Sequence, residues 1–157
     1  MLYKCYLKKH TVYLPTTVNQ GIAVYMDVDP VTVVPVADTD RLRRAMLNTI
    51  PKENPFRARS VEDARKPPVM LKYTGDKSWS AFMRGASVWS IYEKDGIFQI
   101  EPYRVHPKGY WVPDRDQFIK FPSGTTVDDV IDRMIAILQS AASASGKSSP
   151  PPIRKKR

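Results

Sequence analysis

The clearest periodicity lies towards the C-terminus. Val127, Val130, Ile131, Met134, Ile135 and Leu138 recur at the i, i+3, i+4, i+7, i+8, i+11 spacing of one helix face. Thr125 or Thr126 can cap that helix, and Asp128 and Asp129 fill its first turn, where the dipole favours acids. The pattern fades through Ala141, Ala142 and Ala144 and stops near Gly146. A second helix is predicted over Asp38–Asn48, with Leu42, Ala45, Met46 and Ile50 as its stripe. Asp38 or Thr39 starts it, Pro51 ends it, and Arg41, Arg43 and Arg44 crowd its polar side.

Strand patterns fill most of the remainder. Val88–Glu93 and Ile97–Glu101 flank Asp95-Gly96, a dipeptide that tolerates the positive φ angles of a tight hairpin turn. That loop sets Glu93 opposite Phe98 and Ile91 opposite Ile100. Strands near Tyr110–Val112 and Gln117–Phe121 extend the hairpin into an antiparallel meander. Upstream, Tyr3–Leu7 and Thr11–Leu14 read as strands, the second limited by Pro15. Gly21–Val28 and Val31–Val36 read as two strands divided by Asp29-Pro30 and are expected in the middle of the sheet. Val69–Tyr73 reads as a further strand, and Ser78–Met83 as one helical turn started at Lys77 or Ser78. Pro51–Pro68, with four prolines and few large apolar residues, suits a long connection or binding loop. One helix face must pack on a sheet, so the expectation is an α+β domain: a mostly antiparallel sheet, with a central hairpin and meander, covered by two helices.

The 157 residues fit a single domain, expected over residues 1–146. Residues 147–157 carry five cations and no acid among prolines and small residues, the composition of a disordered tail. The tail supplies +5 of the net +9, leaving +4 for the body. Cys5 is the only cysteine, which excludes an intramolecular disulfide and a cysteine-based zinc site and points to a reducing compartment. No apolar run approaches the roughly 20 residues that span a bilayer, and the N-terminus lacks the apolar stretch of a secretory signal. A cytoplasmic protein without membrane contact is the expectation.

Candidate chemistry is sparse. The sequence contains no GxGxxG, no phosphate-binding P-loop, no GxSxG and no HExxH. His10 and His106, the only histidines, could with Lys108 perform acid–base work on RNA if the fold joined them. Asp114 and Asp116 alternate after Pro113, and Asp27 and Asp29 alternate before Pro30; both pairs read as turn formers. Cys5, among Tyr3, Tyr6 and Leu7, reads as a buried small hydrophobe. The expectation is therefore no enzyme, no catalytic residues, no metal and no cofactor.

The aromatics are more informative. Trp79, Phe82, Trp89, Tyr92, Phe98, Tyr103, Tyr110 and Trp111 fall within 33 residues. Some must fill the core; others, on loops beside Arg84 or between Gly109 and Pro113, can anchor an interface. The segment KSWSAFMRGASVWSIYEKDGIFQIEPYR, then GYW, then FPSGTTVDDVIDRMIAILQ, resembles small bacterial immunity proteins that accompany contact-dependent growth-inhibition toxins. The resemblance spans roughly residues 79–139. It implies a cytoplasmic protein that binds one cognate toxin domain, such as a nuclease, and blocks it by occlusion. Expected partner-binding residues are Trp79, Arg84, Tyr110, Trp111, Asp114 and Asp116. The alternative is a basic nucleic-acid-binding protein using Arg41, Arg43, Arg44 and the C-terminal basic cluster. A small RNA-cleaving enzyme with His10 and His106 is the third reading.

Overall fold

A computed structural model describes residues 1–21, 24–50 and 53–145. The basic tail expected to be disordered lies outside them. The chain folds as an α+β structure on one antiparallel sheet. Its first strands are β1 (Leu2–Lys8), β2 (Thr11–Asn19) and β3 (Tyr25–Pro35), followed by α1 (Thr39–Thr49). Three short helices follow: α2 (Val61–Arg65), α3 (Met70–Thr74) and α4 (Trp79–Met83). The hairpin strands β4 (Ala86–Lys94) and β5 (Ile97–Val105) lead to β6 (Trp111–Pro113), a 3-10 turn at Arg115–Gln117, β7 (Ile119–Lys120) and the long α5 (Val127–Ser145). The strand order is β3-β2-β1-β4-β5-β6, with β7 also pairing β5.

The hairpin forms in the expected register, Glu93 opposite Phe98 and Ile91 opposite Ile100. Asp95 and Gly96 take φ of +53° and +74°, the left-handed conformation that the turn demands. Asp38 caps α1 by accepting from the Arg41 N–H, and Leu42, Ala45 and Met46 are buried as the stripe requires. Thr126 and Asp129 form a reciprocal cap on α5: the Thr126 hydroxyl accepts from the Asp129 N–H and the Asp129 carboxylate from the Thr126 N–H.

Alternation splits the sheet into two working faces. Tyr3, Cys5, Leu7, Val12, Leu14, Val34, Ile91 and Ile100 point to one face and pack under α1 and α5. Burial there pushes the Cys5 thiol up to about 12. Tyr6, Val31 and Val88 point to the other face, under Met70 of α3 and Phe82 of α4. The two long helices therefore cover one face only, and short helices partly cover the second.

Five expectations are corrected. β2 runs through Pro15 to Asn19, because β1 pairs β2 only as far as Tyr13 and the ladder with β3 breaks register at Pro15/Thr16, where proline cannot donate. Gly21–Val28 and Val31–Val36 are not two strands. β3 is continuous from Tyr25, with Pro15 opposite Val31 and Thr16 opposite Val28, so Asp29-Pro30 is accommodated as a bulge. Nor is this apolar stretch central: β3 pairs β2 alone and forms an edge, while β1 and β4 take the middle. Val69–Tyr73 is helical, since Pro67 and Pro68 precede it and Gly75, in a left-handed conformation, caps it after one turn. Finally, β6 and β7 share the same side of β5 instead of continuing as a meander.

The Pro51–Pro68 connection does have a local role. Where β1 and β2 diverge, Asn54 fills the gap like a peptide unit. Its side chain accepts from the Leu2 N–H at 2.7 Å and donates to the Leu2 and Thr17 carbonyls at 2.8 and 3.0 Å. Asn19 and Phe56 form a parallel bridge beside it.

Candidate interaction site

The half-covered sheet face carries the site. The registers place Lys4 opposite Ser90 and Ser90 opposite Glu101, so one polar row crosses β1, β4 and β5. Tyr6 lies opposite Val88 in the next row, beside Tyr103. Lys4, Tyr6, Trp79, Val88, Tyr103 and Trp111 line a cleft of about 230 Å³. Its wall is aromatic. Trp79 and Trp111 meet edge to face at 5.4 Å, and both touch Phe82, at 5.1 and 5.8 Å between ring centroids. Tyr6 lies 5.7 Å from Trp111.

A polar network underlies the wall. The Tyr6 hydroxyl donates to Asp27 at 2.5 Å, with Lys4 at 3.4 Å from the same carboxylate oxygen. Burial first, and the Asp27 charge second, raise the Tyr6 phenol well above its ordinary value, so it stays a donor. Ser90, fully buried, lies 3.1 Å from Glu101 and 3.4 Å from the Tyr103 hydroxyl, and Gln99 donates to Glu101 at 2.6 Å. Lys8 anchors α4 on this face. Its buried ammonium donates to both Asp76 oxygens at 2.8 Å and to the Ala81 and Phe82 carbonyls at 3.2 Å.

The expected partner-binding residues divide into groups. Trp79 and Trp111 share the cleft, both half-buried. Asp114 stands beyond β6, 4.0 Å from Arg104, and its N–H donates to the Pro102 carbonyl. Asp116 is exposed on the 3-10 turn. Arg84 and Tyr110 lie at the adjoining end of the sheet, Arg84 exposed past α4 and Tyr110 stacked on His106 at 4.5 Å. Lys4, Tyr6, Asp27 and Tyr103 were missed as site residues. The alternation in β1 could have paired Lys4 with Tyr6, but their neighbours are set by long-range strand pairing.

The other candidates are placed as follows. Asp27 and Asp29 are not turn formers: Asp27 binds Tyr6, and Asp29 accepts from Tyr73 at 2.5 Å and Lys72 at 3.1 Å, tying α3 to β3. His10 sits on the β1–β2 turn and His106 beyond β5. With β4 between those strands, about 10 Å separates their lines. Arg43 is committed to Asp128 and Asp132 of α5 and joins the two long helices. Arg41 and Arg44 remain at or near the surface of α1. A larger groove, about 490 Å³, lies between β3 and the connection to α3; there Arg57 pairs Asp63, Lys66 pairs Glu62 and Lys72 pairs Asp29. No helix among the described residues is long and apolar enough to cross a membrane.

No family model matches the chain. No curated protein matches it either. Among solved structures it is similar to NMB0488, a protein of unknown function from Neisseria meningitidis, with a TM-score of 0.62 and 15% identity over 89% of this chain and 93% of that one. At that identity the likeness is one of fold, and it establishes the α+β architecture over nearly the whole length of both chains.

Proposed function

We propose that this chain is a binding protein that neutralises a cognate bacterial toxin domain, such as a nuclease, by covering its active site or substrate path. The observation that supports the reading is the cleft itself. Trp79, Trp111 and Tyr103 stand half-buried on a sheet face, with Lys4 in the cleft lining and Glu101 in the same row across the strands. Large rings held rigid by their neighbours lose little entropy on binding, and such residues dominate protein interfaces. The toxin class rests on the sequence resemblance of residues 79–139; the cleft supports protein binding. Occlusion needs rigid anchors and complementary charge, and no catalytic step. A cytoplasmic location follows from the same reading.

The test has two stages. Nuclease-treated lysate of the source cells is passed over the full chain, and any polypeptide retained at stoichiometric level is identified. That polypeptide is then expressed alone and together with this chain. Growth arrest alone, rescue on co-expression, and loss of more than about 1 kcal/mol of affinity with Trp111→Ala would support the proposal. Because Trp111 also packs on Tyr6 and Phe82, Trp111→Phe serves as a folded control and thermal melts accompany both variants. Retention of no polypeptide at stoichiometric level, or of a polypeptide harmless to growth, overturns it.

A further inference from the structure

The body's positive charge is concentrated at one end of the sheet. Lys8 pairs with Ala86, and Val105 with Trp111, so the β1–β2 turn, the α4–β4 junction and the β5–β6 turn share that end. Residues 8–10, 76–84 and 104–114 hold six cations (Lys8, Lys9, Lys77, Arg84, Arg104 and Lys108) against two acids, Asp76 and Asp114. Their net +4 equals the whole excess of residues 1–146, so the rest of the body is neutral. Lys8 is used by Asp76, and Arg104 lies 4.0 Å from Asp114. Lys9, Lys77, Arg84 and Lys108 are exposed and have no ion-pair partner among the described residues. Asp38 and Asp40 open α1 on the opposite face.

An aromatic platform stands within this rim. The β5–β6 turn closes through His106 N–H to the Tyr110 carbonyl at 2.7 Å and Gly109 N–H to the His106 carbonyl at 2.8 Å. It holds the Tyr110 ring flat on His106, 16° from parallel, with Tyr110 48% exposed. The His106 Nδ1 accepts from the Lys108 N–H at 3.1 Å, which fixes the imidazole under its partner. Unpaired cations around a rigid exposed ring can hold phosphates while a base stacks.

We infer that this rim is a binding site for single-stranded nucleic acid, with Tyr110 on His106 as the base platform and Lys9, Lys77, Arg84 and Lys108 as phosphate contacts. The site adjoins the proposed toxin-binding cleft but uses other side chains, and it does not depend on that function. It also relocates the basic surface, since Arg43 is consumed by α5.

The probes are fluorescein-labelled dT12 and U12, titrated by fluorescence anisotropy into full-length protein in which Arg154, Lys155, Lys156 and Arg157 are changed to glutamine. Binding should weaken with salt at a log–log slope of about −2.5, as expected for three or four phosphates on a single strand. Tyr110→Ala should lose about tenfold in affinity. Arg84→Glu with Lys108→Glu should lose more, with unchanged thermal melts. Equal affinity for both oligonucleotides assigns contacts to phosphate and base; preference for U12 adds the ribose hydroxyl; either is consistent with the site. Affinity unaffected by the rim variants overturns the proposal. Equal binding of a twelve-residue glutamate peptide overturns it in favour of an acidic protein surface.

Discussion

Lys8 shows how one residue can organise a whole face. A lysine on a strand is ordinarily solvated, yet this one is only 8% exposed. It is stabilised because Asp76 and two helix-end carbonyls take its three protons, and because it lies 5.2 Å over the Phe82 ring. Removing one partner of such an arrangement leaves the others desolvated without compensation. Lys8→Met should lower Tm by about 5 °C at pH 7 in thermal denaturation. The Lys8 hydrogen bond, and then that of Thr74, hold the Asp76 carboxyl below its ordinary 3.8. Its contribution is therefore full above pH 3.8 and lost as pH falls through the lowered folded value. The gap between wild type and Lys8→Met should narrow over that acid range; a gap independent of pH would contradict the pairing.

Among the elements, the β4–β5 hairpin is the most locally determined. Asp95-Gly96 sets both the turn and the register, and a Cβ at Gly96 would meet open space, so Gly96 is needed for its backbone alone. Gly96→Ala should cost about 1 kcal/mol by forcing an L side chain into the left-handed region, measured by urea denaturation. An equal or greater stability would show that the turn relaxes. The α1 and α5 stripes were equally legible, because each was complete within its own helix. α3 was not. Residues 69–73 are apolar enough for a strand, and whether they extend or coil depends on Gly75 and on Met70 reaching the second core. In sequence, proline looks like a stop, which shortens β2 and divides β3 in two, whereas a shared register break absorbs Pro15 and Asp29-Pro30 together.

At the scale of the molecule, the sheet has two covered faces of unequal strength. The α1–α5 side holds most of the buried side chains; the α3–α4 side holds a smaller cluster and leaves the cleft. β1 and β4 have strands on both sides, whereas β6 and β7 are three and two residues long at one edge. Native-state hydrogen exchange should find the slowest amides in β1 and β4 and much faster exchange in β6 and β7. Protection of β6 equal to that of β4 would mean that the aromatic wall is part of the global folding unit rather than its margin.

The sequence by itself determined the α+β class, the hairpin with its register, and the two long amphipathic helices, each with its cap narrowed to two residues. Each of these is written in local spacing or turn chemistry. It also brought out Trp79 and Trp111 among six candidate contact residues, through aromatic density in one stretch. Only the tertiary structure decided which strands are central and which face the short helices cover. It alone seated Lys4, Tyr6, Asp27 and Tyr103 with the tryptophans, and gathered the charge at one end. Those outcomes depend on pairing between segments as far apart as β1 and β4, residues 2–8 with 86–92. Short-range periodicity carries no information about which distant strand will complete a ladder.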